Sequence, residues 1–315
     1  MEKIFQKFSF LSASLVLILL IGIFITLFHS AKPSIDEFGA HFLVDPTWNK
    51  EVAINTPSDT TAQSATVDKT ADDEDDMMMM DEDSGETKTL FGGLVPIVGT
   101  LLTTLIALAF ALPIAMGIAV FLAEMASKTV SKFVGIAIEL LAAIPSIIFG
   151  MWGLYYFAPI IAETFGGYQV SLLTAGLVLG IMILPFMAAV TRDSMNTTPD
   201  VLKESAYALG ATKFEVVKDV IFPYSKVGII GSIILALGRA LGETMAVAFL
   251  IGGVYLLPEK ITDPTISIPV AMALNFGEAS GLGESALFYL GLILFVLSFA
   301  IISFAKFYFL KRVKS

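Results

Sequence analysis

Six long apolar runs, separated by polar segments, constrain the fold of this chain more than any other feature. A helix rises 1.5 Å per residue, so about 20 apolar residues cross a hydrocarbon core of about 30 Å. The first run, Phe8–Phe28, contains no charged residue and is longer than the apolar core of a cleaved signal peptide. The other five predicted spans are Leu94–Ala123, Phe133–Ile161, Val170–Val190, Val227–Leu257 and Leu287–Ala305. The sequence therefore predicts an all-α integral membrane protein with six transmembrane helices.

The composition is far more apolar than that of a soluble domain, with 56% hydrophobic and 15% charged residues. The net charge of −10 is concentrated, since residues 30–90 hold 15 of the 29 acidic side chains and four of the 19 basic ones. The remaining 14 acids and 15 bases nearly balance. The chain has no cysteine, which excludes disulfides, thiol chemistry and cysteine metal sites.

The distribution of lysine and arginine predicts the orientation of the chain. Six crossings put both termini on one side, and basic residues are enriched on the cytoplasmic side of a membrane. Thirteen Lys and Arg residues lie on the side of the termini and five on the other, with Arg239 alone inside a helix. We therefore predict a multi-pass membrane protein with cytoplasmic termini, lipid around it and no nucleic-acid partner.

Hydropathy divides the chain into four segments. We predict the first transmembrane helix at residues 1–29, an extracytoplasmic loop at 30–90, the main transmembrane domain at 91–310 and a basic cytoplasmic tail at 311–315. The main domain includes a cytoplasmic loop at residues 193–226, which is the polar segment between the fourth and fifth spans.

An acidic insert, residues 52–87, lies within the extracytoplasmic loop and is predicted to be disordered, because it is polar, highly charged and poor in aromatic residues. Its run of methionines, Met77–Met80, and its carboxylates leave a metal site open, since thioethers suit copper and carboxylates suit calcium. No EF-hand pattern accompanies them. A solvated spacer is the preferred interpretation, and no metal ligand is assigned.

The polar segment at residues 204–223 has the signals of two short helices joined by a glycine. Thr198 is predicted to cap the first helix, with Pro199 at its first position. Gly210 is predicted to end that helix in the left-handed backbone conformation, which glycine adopts without steric cost. The segment is therefore predicted to be a helical hairpin.

The second helix of the hairpin has its own start and stop signals. Thr212 and Glu215 fit a capping box, and Pro223 is predicted to end the helix. Ala206 on the first helix and Phe214 on the second belong to apolar faces at helical spacing. Helices of about ten residues are marginal alone in water, so the hairpin needs a surface to dock on. Residues 199–223 contain three lysines and four acids, which favours a protein partner over lipid headgroups.

Two opposite charges lie inside the fifth apolar run. Arg239 and Glu243 are four residues apart and are predicted to share a helix face. Arg239 is about 18 Å from Val227 along that helix, near the middle of a core of about 30 Å. A charge there costs about 2.5–3.5 kcal/mol, so the pair is expected to face a cavity or a partner. It is either a self-neutralising structural pair or part of a path on which the guanidinium binds an oxyanion.

Glu139 is a further charge within the apolar runs, near the cytoplasmic end of the third predicted span. It has no local partner in the sequence, so it is predicted either to meet a cation on another helix or subunit or to be protonated. A structural role and a role in the substrate path both remain open. Glu139 is therefore included with Arg239 and Glu243 among the candidate path residues.

The chain has no nucleotide-binding signature. The pattern G-x-x-x-x-G-K-[ST] does not occur, and no predicted cytoplasmic segment is large enough for a nucleotide-binding domain. If the chain performs energy-driven transport, that energy is expected to come from another subunit.

The polar hairpin resembles the EAA loop of ABC importer permeases. Glu204, Ser205 and Ala206 stand for E-A-A, Gly210 follows after three residues, and Pro223 closes the pattern. Ser for Ala, and Phe for Leu just before the proline, are departures from it. In that family the loop is a cytoplasmic coupling helix that docks on the ATPase subunit. The residues to which the resemblance assigns ATPase coupling are Glu204, Ala206, Gly210, Phe214 and Pro223.

Three further motifs narrow the resemblance to the phosphate ABC importer permeases of the PstC type. They are PIVGTLLTT at 96–104, ELLAAIPSIIFG at 139–150 and RALGETMA at 239–246. The resemblance implies the type I importer permease fold, in which Arg239 and Glu243 match the charged pair that the family uses for transport. The implied partners are a homologous second permease, two ATPase subunits that hold ATP and Mg²⁺, and an extracytoplasmic phosphate-binding protein.

The predicted function is that of a permease subunit that moves inorganic phosphate by alternating access, without enzymatic activity and without a cofactor in this chain. A permease for another oxyanion, such as sulfate or molybdate, is the nearest alternative. A membrane scaffold that reports phosphate status without transporting it is an alternative from a different class. An ion-coupled carrier is a third, which the hairpin disfavours because such a carrier needs no ATPase docking element.

Overall fold

The computed structural model describes residues 2–53 and 87–314, and within this part the chain is a helical bundle with one small β-hairpin. The helices are α1 (Glu2–Phe38), α2 (Leu94–Val120), α3 (Lys128–Ala142), α4 (Ser146–Trp152), α5 (Ala158–Phe165), α6 (Leu172–Asn196), α7 (Asp200–Ala208), α8 (Lys213–Glu215), α9 (Phe222–Leu241), α10 (Met245–Ala248), α11 (Ile268–Asn275) and α12 (Leu282–Lys314). A short 3₁₀ helix, Gly39–Leu43, follows α1, and the antiparallel strands are β1 (Trp48–Ala53) and β2 (Thr87–Phe91).

Six helical segments of the described chain are long and apolar enough to cross a membrane, which confirms the predicted number of spans. Their bounds are Phe5–Leu43, Leu94–Met125, Ser146–Phe165, Leu172–Asn196, Lys213–Leu241 and Leu282–Tyr308. The second, third and fifth of these spans pack on α6, which is the most buried span. The first span packs on α12 at the edge of the bundle, where most of its side chains are exposed.

The prediction that Phe133–Ile161 forms a single transmembrane helix was wrong. Pro145 interrupts it with an extended backbone (φ −57°, ψ 137°), and a proline disfavours the helical conformation of the residue before it. Ser127 caps α3 by accepting a hydrogen bond from the amide of Val130, so α3 is a separate helix. The membrane-spanning segment begins only at Ser146 and contains a π-helical turn between α4 and α5.

The predicted bounds of the fifth span, Val227–Leu257, were wrong at both ends. A π-helical turn at Val216–Ile221 joins α8 to α9, so the helix starts at Lys213 and ends at Leu241. Pro223 does not end a helix, because it lies just after the π-helical turn and the helix continues through it to Leu241. The π-helical turn already departs from the regular α-helical hydrogen-bond pattern that a proline would otherwise interrupt.

The base of the acidic insert is ordered. Val52, Ala53 and Thr87, predicted to be disordered, belong to β1 and β2, whose register pairs Ala53 with Thr87. Their pairing corrects the predicted limits of the disordered stretch. Residues 54–86, with Met77–Met80, lie outside the described residues, so the metal alternative there stays untested.

Close helix contacts surround α6. A β-carbon on Gly176 would lie 2.6 Å from the Ile106 side chain, and one on Gly180 would lie 3.0 Å from the backbone oxygen of Ala107. Both contacts are with α2, so the two glycines let α2 and α6 approach one another closely, as small residues do between membrane helices. The main apolar core lies between these two helices, α9 and the segment around α10.

A substitution at Gly99 in α2 tests this tight packing. The backbone oxygen of Ile266 occupies the place that a β-carbon on Gly99 would take, and the neighbouring Thr100 hydroxyl accepts the amide hydrogen of Ile268 at 2.8 Å. We expect Gly99→Ala to lower the melting temperature in detergent, through an overpacking cost of about 1–3 kcal/mol. Gly117→Ala is the matched control on the same helix, because no atom lies within 4 Å of its β-position. Equal melting temperatures of the two variants would contradict this packing.

Candidate substrate path and coupling hairpin

The helical hairpin predicted at 204–223 is present, with a glycine elbow. Gly210 has φ +86°, which confirms the predicted left-handed end of the first helix. The capping box is also confirmed: the Thr212 hydroxyl accepts the amide hydrogen of Glu215 at 3.4 Å, and the Thr212 amide donates to Glu215 Oε2 at 2.7 Å. These local signals depend on residues three positions apart, so the sequence alone was sufficient to predict them.

The predicted cap of the first helix was wrong. Pro199 occupies the N-cap position of α7, and no side chain caps that helix. The hydroxyl of Thr198 is buried without a hydrogen-bond partner among the described residues. The chain therefore turns into α7 with the extended backbone of Pro199 (φ −59°, ψ 135°) in place of a threonine cap.

The two apolar faces predicted for the hairpin do not form one docking surface. Phe214 and Leu209 are 73% and 90% exposed, whereas Ala206 is partly buried against a cluster that includes Met195 and Val217. This cluster holds the hairpin on the ends of α2 and α6. We call the exposed set the outer face of the hairpin; its members are Val201, Glu204, Leu209, Gly210 and Phe214.

An ion pair that no sequence pattern predicted connects the hairpin to α2. Lys203 on α7 lies 2.6 Å from Glu124 Oε1, and Glu124 belongs to a π-helical turn, Phe121–Met125, at the end of α2. The two residues are 79 positions apart in the chain. Neither periodicity nor capping patterns connect residues at that separation, so only the folded chain identifies the pair.

Arg239 lies in the last turn of α9 and is exposed on the surface of the bundle. Tyr224 and Leu235 are also exposed and precede it by 15 and four residues, so at 3.6 residues per turn they lie on the same side of α9. About 20 Å of helix separates Lys226 from Arg239. Among the described residues, no carboxylate forms an ion pair with Arg239, which leaves its guanidinium free to bind an anion.

The predicted helical pairing of Arg239 with Glu243 was wrong. The helix ends at Leu241, with Gly242 as its C-cap, so Glu243 stands in a break between α9 and α10. Glu243 Oε1 accepts the amide hydrogen of Ala246 at 3.2 Å, which satisfies a donor at the start of α10. The two charges are therefore on adjacent but discontinuous elements, and the self-neutralising pair is not formed in this structure.

The break is held by close packing against α4. A β-carbon on Gly150 would lie 3.0 Å from Ala246 Cα, and one on Gly153 would lie 3.1 Å from a methyl group of Leu250. The two glycines of the predicted third span therefore let the α10 segment pack against it. Small residues allow this close approach where the helix is interrupted.

Glu139 has a cation partner on another helix, as one of its two predicted alternatives requires. Arg192 on α6 lies 3.4 Å from Glu139 Oε1 and 2.8 Å from Asp193 Oδ1. Gly135, one turn before Glu139, leaves room for this guanidinium, since its β-position would overlap Arg192. The structure thus places Glu139 with Arg192 and not with Arg239. This placement favours the structural interpretation of Glu139, while its assignment to the substrate path stays a prediction.

The β-hairpin formed by β1 and β2 is attached to the loop after α10. The rings of Trp48 in β1 and Tyr255 stack at 4.9 Å, and the Tyr255 hydroxyl accepts a hydrogen bond from Asn275 Nδ2 at 2.9 Å. Burial raises the pKa of the Tyr255 hydroxyl, and the hydrogen bond from Asn275 only partly offsets this. Tyr255 therefore stays neutral, and the attachment of the β-hairpin does not depend on its ionisation.

Comparison with known proteins identifies the class that this fold and these features define. Residues 111–315 match the family described as binding-protein-dependent transport system inner membrane component. The chain belongs to this family, whose members are transmembrane permeases of ABC transporters and not enzymes. It is therefore a multi-pass membrane protein that works in a complex with other subunits.

Comparison with individual relatives identifies the chain more specifically than the family does. The chain is 40% identical to the phosphate transport system permease protein PstC of Haemophilus influenzae, over 94% of this chain and 89% of that protein. It is 45% identical to the PstC of Pasteurella multocida over 69% and 74% of the two chains. It is 38% identical to the PstC of Mesorhizobium japonicum over 99% and 90%. The resemblance drawn from the sequence motifs is confirmed.

A solved structure confirms the fold. A chain of the MetNI methionine ABC transporter, described in inward-facing conformations, superposes with a TM-score of 0.51 at 19% identity. The match covers 69% of this chain and 91% of that chain. The importer permease fold predicted from the sequence is therefore present.

Proposed function

We propose that this chain is a permease subunit of an ATP-driven importer that moves inorganic phosphate across the cytoplasmic membrane by alternating access. The observation that carries the proposal is its identity of 38–40% with two phosphate transport permeases over nearly the whole of its length. The exposed guanidinium of Arg239, on a helix that crosses the membrane, supplies the anion-binding chemistry that such a substrate requires.

The substrate path runs along the exposed side of α9, and Arg239 binds the phosphate there. A planar guanidinium with two parallel N–H groups matches two oxygens of a phosphate, and such charge-assisted bonds are about twice as strong as neutral ones. Glu243 holds the start of α10 through the Ala246 amide and so positions the break beside Arg239. A homologous second permease covers this exposed side and completes the path.

The outer face of the hairpin docks on an ATPase subunit in the cytoplasm. Phe214 and Leu209 are exposed and apolar, and an exposed apolar patch rimmed by polar residues is typical of a protein interface. Two such ATPase subunits bind ATP and Mg²⁺, and this chain binds neither. The lysine and arginine distribution supports cytoplasmic termini and a cytoplasmic hairpin. A phosphate-binding protein delivers the substrate on the extracytoplasmic side.

Uptake by the reconstituted complex tests the proposal. We expect vesicles that contain this chain, the second permease, the ATPase and the binding protein to accumulate labelled phosphate only when ATP is supplied. Labelled sulfate in matched vesicles is the control for substrate class, and vesicles without the ATPase are the control for the energy source.

The alternatives give distinct outcomes in the same assay. Uptake of sulfate in preference to phosphate would show that the substrate is another oxyanion. Uptake of neither anion by an assembled complex would indicate a scaffold that does not transport. Phosphate uptake that continues without the ATPase would indicate an ion-coupled carrier.

A further inference from the structure

Few contacts attach α7 to the rest of the chain. No residue of α7 is fully buried, and Lys203 and Ala206 on its inner side are partly buried. The outer face of the hairpin is exposed on the other side of the same helix. A partner that moves α7 therefore acts on an element that few contacts hold to the bundle.

Among the residues described, the ion pair between Lys203 and Glu124 is the side-chain polar contact that crosses from α7 to the bundle. Its side chains are 16% and 10% exposed, which makes it the one ion pair with both partners largely buried among the residues described. By contrast, Lys218 and Asp219 on the same hairpin are 63% and 61% exposed and lie 3.9 Å apart. A buried pair resists separation more than an exposed one, since each charge would be left without a partner in a poorly solvated place.

Glu124 lies at the point where α7 contacts the end of α2. Its π-helical turn is closed by the amide of Ala126 donating to Phe121 O, and the Ser131 hydroxyl at the start of α3 donates to Leu122 O at 2.8 Å. The turn continues directly into α2, which packs along α6. A π-helical turn inside an α-helix often marks a functional site or a point of adjustment.

We infer that Lys203 and Glu124 form the link through which movement of the coupling hairpin is transmitted to α2, and that both are positioning residues for transport. This inference rests on the proposed function, because it presumes an ATPase on the outer face of the hairpin. The charge pair holds α7 to the end of α2, so that displacement of the hairpin displaces α2 and α6 with it. Without the pair, the packing of Ala206 and the π-helical turn at Val216–Ile221 is left to hold α7 on the bundle.

Charge reversal and charge exchange in the reconstituted complex test the link. We expect Lys203→Glu and Glu124→Lys each to lower the phosphate moved per ATP hydrolysed by about 2- to 30-fold, the range that a transmitting contact carries. ATP hydrolysis itself is expected to continue. The exchange variant Lys203→Glu with Glu124→Lys is expected to restore the ratio, which would not happen if either residue acted through a contact other than their pair. Lys218→Glu on the same hairpin is the matched control and is expected to leave the ratio unchanged.

Failure of this inference is distinguishable from failure of the proposed function. If the unchanged complex takes up no phosphate with ATP, the proposed function is wrong. If it does, and both single variants keep the ratio of phosphate to ATP, the link is wrong. An exchange variant that assembles but does not regain the ratio also overturns it. If a single variant fails to assemble, the exchange variant is compared with the unchanged complex directly, and its failure to assemble overturns the ion-pair assignment.

Discussion

Replacing Arg239 by alanine is expected to abolish phosphate uptake while the complex still assembles. The guanidinium is exposed on α9 and pairs with no carboxylate of the described chain, so its removal breaks no internal contact of that kind. Each hydrogen bond to a charged group contributes about 1.5–3 kcal/mol, so loss of a bidentate contact lowers uptake by about 100-fold or more. The measurement is the initial rate of labelled phosphate uptake into vesicles, with assembly checked by size-exclusion chromatography.

Two further variants serve as controls for Arg239→Ala. Arg239→Lys keeps the positive charge but lacks the planar fork, so it is expected to retain part of the uptake. Lys226→Ala removes an exposed charge near the other end of the same helix and is expected to leave uptake close to that of the unchanged chain. Uptake by Arg239→Ala at the unchanged rate would show that the anion does not pass Arg239.

Replacing Gly210 by proline is expected to uncouple ATP hydrolysis from transport. Gly210 has φ +86°, whereas a proline ring holds φ near −65°, and the Gly210 amide donates to Tyr207 O at 2.9 Å. Proline therefore cannot keep the elbow, and strain of about 1–3 kcal/mol rearranges the hairpin. We expect phosphate uptake per ATP to fall by about fivefold or more. The ratio is measured from labelled uptake and released inorganic phosphate in parallel samples.

The control for this variant is Gly210→Asn, because asparagine tolerates the left-handed conformation better than other residues with a side chain. It is expected to keep most of the coupling. Glu204→Lys is a second test on the outer face, where Glu204 is exposed and its charge is available to the partner. Normal coupling in both Gly210→Pro and Glu204→Lys would refute the docking role of the hairpin.

The local features of the hairpin and the number of spans followed from the sequence, because their causes are short-range. The capping box needs only Thr212 and Glu215, and the elbow needs only a glycine that tolerates positive φ. The six spans follow from the length of apolar runs, since a helix must be about 20 residues long to cross the core.

Helix continuity did not follow from hydropathy. The third and fifth runs are predominantly apolar along their whole length, yet Pro145 divides one and the helix in the other ends at Leu241. Hydropathy averages over a window and does not register a change of backbone direction inside it. This is why Arg239 and Glu243 were expected on one helix face, although the helix ends between them.

Taken by itself, the sequence determined that the chain spans a membrane six times, that a capped helical hairpin lies between the fourth and fifth spans, and which charges lie inside apolar runs. Only the tertiary structure decided which charged side chains meet. Arg192 meets Glu139 across 53 residues, Lys203 meets Glu124 across 79, and Arg239 is left exposed. The physical reason is that ion pairs form between side chains close in space, and the packing of α2, α3, α6 and α7 sets those distances, which no local pattern encodes.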